Sequence, residues 1–560
     1  MQRLPFVVVS LLAAAANAQG DPQFVREFGR DGERGSYRVK FDDRGAGVVF
    51  VQTMDHYVDA DTRGSAEHGP DDWMLLAWSD GDFAFRLGQR GEGPFAQSLW
   101  TAAWTREELA SGDVRFWIDS EDGGLRLSKT FRHRPDQREL ALELALENRG
   151  VGGAVAGALP LTLTGPALVN RAEVSLFGTA AWSIAQIAGG EPVHAGPAAD
   201  GRAADLLTTG GQPLSFAGTT NRFFGGFLYP LDEAAAVAVQ AIRAESWPPV
   251  EYPDPPLKAH SMPRALFDLN LPLPAAGQTS SLTFGVYLGP KSFRVFEEQP
   301  AHARFLPIMD VDLEPPCCGG IVVPGGRFMA TMELKLLAFF HDYVGSWGIA
   351  IMLLTLLVRG LLAPLNFRMQ KSMREYGKRM AVVKPKLDKL KEQYKDDPKA
   401  HQQAMIQFQR EHKIMPPLGG CLPIFLTMPI YIGLFTALRT AYELRHEGFL
   451  FIHDLSGPDA LFDLGFWPHH FNILPLLWIA LMAIQMSRQP LPTDPQQRQM
   501  QQIMRYMPIL FGVMLYNYAA GLMVYMVTSM LWTFVESAVT KRILGPIDPN
   551  AAGMAPTPMM

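Results

Sequence analysis

The chain has 560 residues, 48% of them hydrophobic and 19% charged, with a formal net charge of -6. Its length allows two or three domains, and its mild acidity gives no basic footprint for nucleic acid, so no direct nucleic-acid contact is expected. Only Cys317, Cys318 and Cys421 are present, which excludes a disulfide framework and leaves core burial to hold any exported part together.

The N-terminus, Met-Gln-Arg, leads into an apolar run from Leu4 to Ala16 and then into Ala16-Asn17-Ala18, the A-x-A form of a signal-peptidase site. As a helix the run would span about 20 Å, short of the roughly 30 Å of hydrocarbon. Residues 1–18 therefore read as an export signal cleaved after Ala18, with a retained short first anchor as the alternative.

From 21 to 310 the pattern is short alternating runs separated by Gly, Pro, Asp and Asn; Val114–Ile118, Leu125–Phe131, Leu140–Leu146 and Ser281–Leu288 are examples. Period-two alternation at this length predicts a large antiparallel all-β sandwich. His56, His68 and His133 lie far apart without ligand spacing, so no metal is expected. Neither H-E-x-x-H, nor G-x-S-x-G, nor a Walker A pattern occurs, and no enzyme activity or cofactor is expected.

A Pro- and Gly-rich linker, 311–326, closes that domain. Residues 327–344 follow, with an apolar face interrupted by Glu333, Lys335, His341 and Asp342, and predict an amphipathic helix lying in a membrane interface. Five spans are then expected, at about 347–365, 418–438, 471–487, 506–519 and 522–539, within a core of 345–542; a break at Ala519-Ala520-Gly521 divides the last two. Lys and Arg crowd 368–413, whereas 441–470 holds only Arg445 against several acids, so the first loop is cytoplasmic and the β domain exported.

In that basic loop Met369, Met373, Tyr376, Met380, Val383, Leu387, Leu390 and Tyr394 form a heptad seam, Asp396-Asp397-Pro398 turns the chain, and Met405 and Phe408 can pack back. The pattern predicts a helical hairpin over 368–413, kinked at Pro385. Whether it is a solvated basic arm or a docking arm for incoming chains or ribosomes is open at this point; Lys371, Arg374, Lys378, Lys384 and Lys395 would carry the docking.

Arg359 stands in the apolar run Leu353–Pro364, about 18 Å beyond Trp347 along a helix. An arginine at such depth costs about 2.5 to 3.5 kcal/mol to insert, which favours a functional residue facing water or a partner over one that snorkels to the headgroups. Thr355, one turn earlier, would share its face. Glu536 is the one carboxylate at comparable depth, and a direct pair is not expected, which leaves a hydrated cavity in the inner leaflet. The segments Leu418–Ile430 and Tyr506–Leu515 mix Pro and Gly with flexible Met, a surface suited to varied apolar partners or to ordinary helix packing.

The stretches "GSWGIAIMLLTLLVRGLLAPL", "KSM" at Lys371, "KPK" at Lys384, "KDDPK" at Lys395, "PLGGCLPIFLTMPIY" from Pro417, "YELR" at Tyr442, "FIHDLSGPD" from Phe451 and "TDPQQRQMQQIMRYMPILF" from Thr493 resemble, in order, the bacterial YidC membrane protein insertase family; "NRFFGGFLYP" at Asn221 and "YLGPKSF" at Tyr287 resemble its Gram-negative exported domain. The resemblance implies a periplasmic β-super-sandwich followed by an α-helical five-span insertase core with a cytoplasmic hairpin, in the inner membrane, with residues 543–560 as a cytoplasmic tail. It implies a hydrophilic groove open to cytoplasm and lipid, with Arg359 as the groove arginine beside Thr355. It also implies a hydrophobic slide on the two spans that hold Ile424, Met428, Met507, Leu510 and Met514. Nascent membrane proteins would be the substrates and the Sec translocon a partner. Ribosome contact would be weak, because Ile543–Met560 has no Lys or Arg. The competing reading is a secondary transporter whose Arg359 binds an anionic solute; it requires internal repeats, and none is evident.

Overall fold

The computed structural model describes residues 23–545, apart from 59–62, 64–67, 79–83, 96–97, 151–156, 167, 169–180, 197–201, 248–261, 314–324, 394–402, 405–406, 408–417, 466–469 and 488–505. The export signal, most of the linker, the turn and most of the return arm of the basic hairpin, and most of the tail lie outside the described residues. The described residues form two units that divide between Met309 and Asp310.

The first unit is all-β, as the alternation predicts. Nine antiparallel strands form its largest sheet, in the order Val193–Ala195, Trp182–Ile187, Leu214–Thr220, Phe224–Pro230, Thr279–Pro290, Glu139–Asn148, Leu125–Arg134, Val114–Asp119 and Thr105–Glu108. A five-stranded sheet runs from Ala204–Thr208 through Val239–Trp247, Met262–Pro272 and Ala158–Thr164 to Leu87–Gln89, and a four-stranded sheet joins Gln23–Phe28, Tyr37–Asp42, Gly47–Tyr57 and Trp73–Trp78. Pairing aligns the apolar residues in rows: Phe131 lies opposite Leu142, and Leu142 opposite Phe284, all three buried. Alternation sends such rows to one face, and their burial supplies the driving force. Two buried charges are satisfied within this core. Lys129 Nζ donates to the Phe85 and Gly45 carbonyls at 2.6 and 3.4 Å, and Glu139 accepts from Tyr229 at 2.7 Å and Arg134 at 2.6 Å.

The second unit is helical. Helix α1, Gly326–Val344, begins after Gly325 and ends at Gly345, both with positive φ (82° and 69°), a backbone that glycine adopts without strain. The Gly345 N–H caps the His341 carbonyl at 2.7 Å, and the His341 ring stacks on Trp347 at 3.9 Å. Helix α2, Trp347–Gln393, is 47 residues long and joins the first expected span to the first arm of the hairpin without interruption, running through Pro385. Helices α3, Leu418–Thr440, α4, Ile473–Ser487, α5, 506–514, and α6, Ala520–Leu544, follow. Residues 347–372 and α6 are long and apolar enough to cross a membrane, while α4 is a shorter apolar helix. The break expected at Ala519-Ala520-Gly521 falls earlier, at 515–519, and Ala520 and Gly521 open α6. Helix α1 packs on α2 and α3, and α6 packs on α2 and α4.

Candidate functional site

Arg359 projects from α2 into a place where three helices meet. Its guanidinium hydrogen-bonds Ser529 Oγ on α6, and its carbon lies 5.2 Å from the centre of the Tyr431 ring on α3, a cation–π distance. Tyr525, one turn before Ser529, bonds that serine and lies in electrostatic range of Arg359. Arg359 Nε is buried without a hydrogen-bond partner, and among the described residues no carboxylate pairs with this cation within 4 Å. Exposed Leu356, Leu357 and Leu361 flank it on α2. A cation beside hydroxyls and an aromatic face can bind and orient an acidic group by charge-assisted hydrogen bonds.

Thr355 is buried and its hydroxyl donates to the Ile351 carbonyl at 2.7 Å, so its hydrogen is committed to its own helix. Glu536 takes a hydrogen bond from Gln370 Nε2 at 3.4 Å and another from Asn366. Of the residues expected on a slide, Met428 and Leu510 are exposed, at 38% and 60%. Met507 and Met514 are partly exposed. Ile424 lies on α3, with its side chain outside the described residues. Among the docking residues Lys371 is exposed on α2; Arg374, Lys378 and Lys384 lie on the same helix with side chains outside the described residues, as does the whole of Lys395.

Sequence reasoning did not single out Ser529, Tyr525 or Tyr431. Tyr525 and Ser529 stand four apart on α6, which puts them on one face, and that spacing was the available signal. It also treated Glu333 as one polar residue among several on α1. In the structure Glu333 is 1% exposed, between buried Ala330, Leu334 and Leu337, with both carboxylate oxygens lacking a hydrogen-bond partner. Burial pushes its carboxyl up to about 9. The fit against α3 is close: a Cβ at Gly433 would stand 2.9 Å from the Ala330 nitrogen and 3.1 Å from a Glu333 oxygen.

The segment between α3 and α4 folds over one end of the helices. Asp454 accepts from the His446 and Ser456 N–H groups, and Asp459 Oδ2 caps α4 through the N–H groups of Ile473 and Leu474 at 2.6 and 3.0 Å. The Gly457 and Leu455 carbonyls accept from Ala520 and Gly521 at 2.6 and 2.8 Å, satisfying the first donors of α6. The acids of "FIHDLSGPD" are thus structural caps. In the β unit the three histidines bond apart from one another: His56 to Asp55, His68 to Asp31 and His133 to the Gly35 carbonyl. A cleft of about 410 Å³ there, lined by Arg90, Trp100, Thr162, Arg243, Glu245 and Arg264, has its charges tied in internal ion pairs, Arg243 with Asp268 and Arg264 with Glu245.

Comparison with known proteins places the helical unit. The family described as 60Kd inner membrane protein matches residues 339–546. A protein named Membrane protein insertase YidC from Pelobacter propionicus is 34% identical over 271 residues, 48% of this chain and 46% of its own length. The protein of that name from Neisseria gonorrhoeae is 41% identical over 211 residues, 38% of this chain and 35% of its own; that from Polynucleobacter asymbioticus is 29% identical over 446, 78% and 71%. The chain thus spans less than half the length of the first two relatives. Among solved structures, a putative aldose 1-epimerase from Escherichia coli resembles 48% of this chain over its whole length, with 11% identity and a TM-score of 0.31.

Proposed function

Because this chain belongs to the YidC family of 60Kd inner membrane proteins, we propose that it inserts and helps fold proteins of the inner membrane, with Arg359 in a hydrophilic groove between α2, α3 and α6. The observation that carries this reading is an arginine deep in an apolar helix whose direct described partners are neutral, Ser529 and the Tyr431 ring, with Glu536 in electrostatic range but not in contact. No carboxylate among the described residues pairs with it directly, so it remains available to an acidic group brought by a substrate.

A nascent single-span protein must carry a short polar tail across hydrocarbon. A groove that admits water partway shortens that path, and Arg359 draws acidic residues of the tail into it. The energy comes from transferring the substrate's own apolar helix into lipid, at about 25 cal/mol per Å². The exposed side chains of Met428 and Leu510 supply an apolar surface along which that helix leaves. In this reading the five spans place the β-super-sandwich in the periplasm and the basic hairpin, starting at Lys371, in the cytoplasm, where it meets incoming chains. The Sec translocon is a partner for larger substrates, and ribosome contact is weak.

The test is insertion in a depletion strain. Arg359→Ala is expected to lower insertion of a single-span substrate with an acidic exported tail several-fold, while Arg359→Lys retains it, and the loss grows with the number of tail acids. Full rescue by the alanine variant for every tail would remove the charge from the mechanism.

A further inference from the structure

The helical unit also holds a buried carboxyl that the groove reading does not use. Glu333 sits on the buried face of α1, 1% exposed, and among the described residues neither oxygen has a partner. Leucine would pack there without the cost of desolvating a carboxyl, so its place is not explained by packing. Nor does it act as a structural hydrogen-bond acceptor, since nothing donates to it. Room for it comes from Gly433, whose missing Cβ lets α1 lie against α3.

Position points to the use. Gly433 stands two residues beyond Tyr431, whose ring covers Arg359, and the two positions lie on different faces of α3. Tyr525 is in electrostatic range of both charges. Helix α1 packs on α2 and α3 by one face. Positive-φ glycines bound it at both ends, Gly325 and Gly345, and its outer face shows Phe328, Phe339 and Tyr343 at 68%, 62% and 86% exposure. Such an apolar face suits a helix lying in a membrane interface.

We propose that Glu333 determines specificity for cationic tails: when α1 lifts from Gly433, its carboxylate binds a Lys or Arg side chain of the segment being translocated. The groove then has two poles, with Arg359 receiving acids and Glu333 receiving bases, so tails of either sign find a partner along α3. An arriving ammonium or guanidinium supplies the counter-charge that the buried acid lacks. The inference rests on the insertase reading.

The experiment compares two single-span substrates that differ only in tail residues, two lysines or two aspartates, inserted by the full-length protein in a depletion strain and scored by protease accessibility of the tail. Glu333→Gln, which keeps shape and polarity, is expected to lower the lysine-tail to aspartate-tail ratio by about fivefold. Glu333→Asp is expected to restore it, and Arg359→Ala to shift the ratio in the opposite direction. An unchanged ratio in Glu333→Gln, or an equal fall for both substrates, overturns the proposal, the second outcome assigning Glu333 a packing role. Insertion of neither substrate by the wild-type protein would instead remove the insertase reading, and this inference with it.

Discussion

At the residue scale the two charges of the helical unit were unequally legible. Arg359 declared itself because a guanidinium within Leu353–Pro364 breaks an apolar run. Glu333 was hidden by its neighbours: Lys335 and Asp342 are exposed polar residues of the same helix, and a mixed helix reads as interfacial. The spacing Ala330, Glu333, Leu334, Leu337 would have put the acid on the apolar face, but spacing does not say which face a partner helix covers. The buried acid has a consequence for pH. Its carboxyl is raised from 4.5 to about 9, so the folded state holds the proton over a range in which the unfolded chain releases it. Stability from this group is therefore present below about 4.5 and declines as pH rises toward 9. Lys129 in the β unit acts in the opposite sense, since burial holds its ammonium well below the usual lysine range and favours folding as pH rises. The difference between wild type and Glu333→Gln isolates the carboxyl. Thermal unfolding in detergent at pH 5 and pH 8 should show the glutamine variant gaining stability relative to wild type at the higher pH, and a gap that does not change with pH would contradict this assignment.

At the element scale alternation served the β unit well. Val114–Ile118, Leu125–Phe131, Leu140–Leu146 and Ser281–Leu288 all became strands, extended to Asp119, Arg134, 139–148 and 279–290. Period two is local information, and it survives into the sheet because one face of each strand must be buried. Strand order was not legible, since pairing such as Glu139–Asn148 with Thr279–Pro290 joins segments far apart in sequence. In the helical unit the expected boundary between the first span and the hairpin does not exist as a break: apolar and heptad patterns share one periodicity, and α2 carries both. The seat of α1 on α3 belongs to this scale. Gly433→Ala must push the Ala330 backbone or the Glu333 carboxyl aside, at a cost of about 1–3 kcal/mol. A lowered melting temperature together with faster proteolysis in α1 is the expected result; an unshifted variant would mean that the two helices are not held in this contact.

At the scale of the whole molecule, the expected order of an all-β part followed by a helical part is the order the structure shows. Sequence also supplied the family resemblance, because most of its motifs are strings of residues within 339–546, the stretch that the family model matches. The polar contacts that hold Arg359 were not visible, because Ser529 and Tyr431 lie on helices joined by long intervening segments and meet it only in the fold. The proposal that remains central is a groove wetted from one side. The most direct measurement places a single cysteine at Tyr431, in a background lacking Cys317, Cys318 and Cys421, and labels it with a membrane-impermeant maleimide applied separately to each face of sealed vesicles. Reaction from the cytoplasmic face alone is the predicted result. No reaction from either face, or reaction from both, would contradict a groove that admits water from the cytoplasm and is closed to the outside.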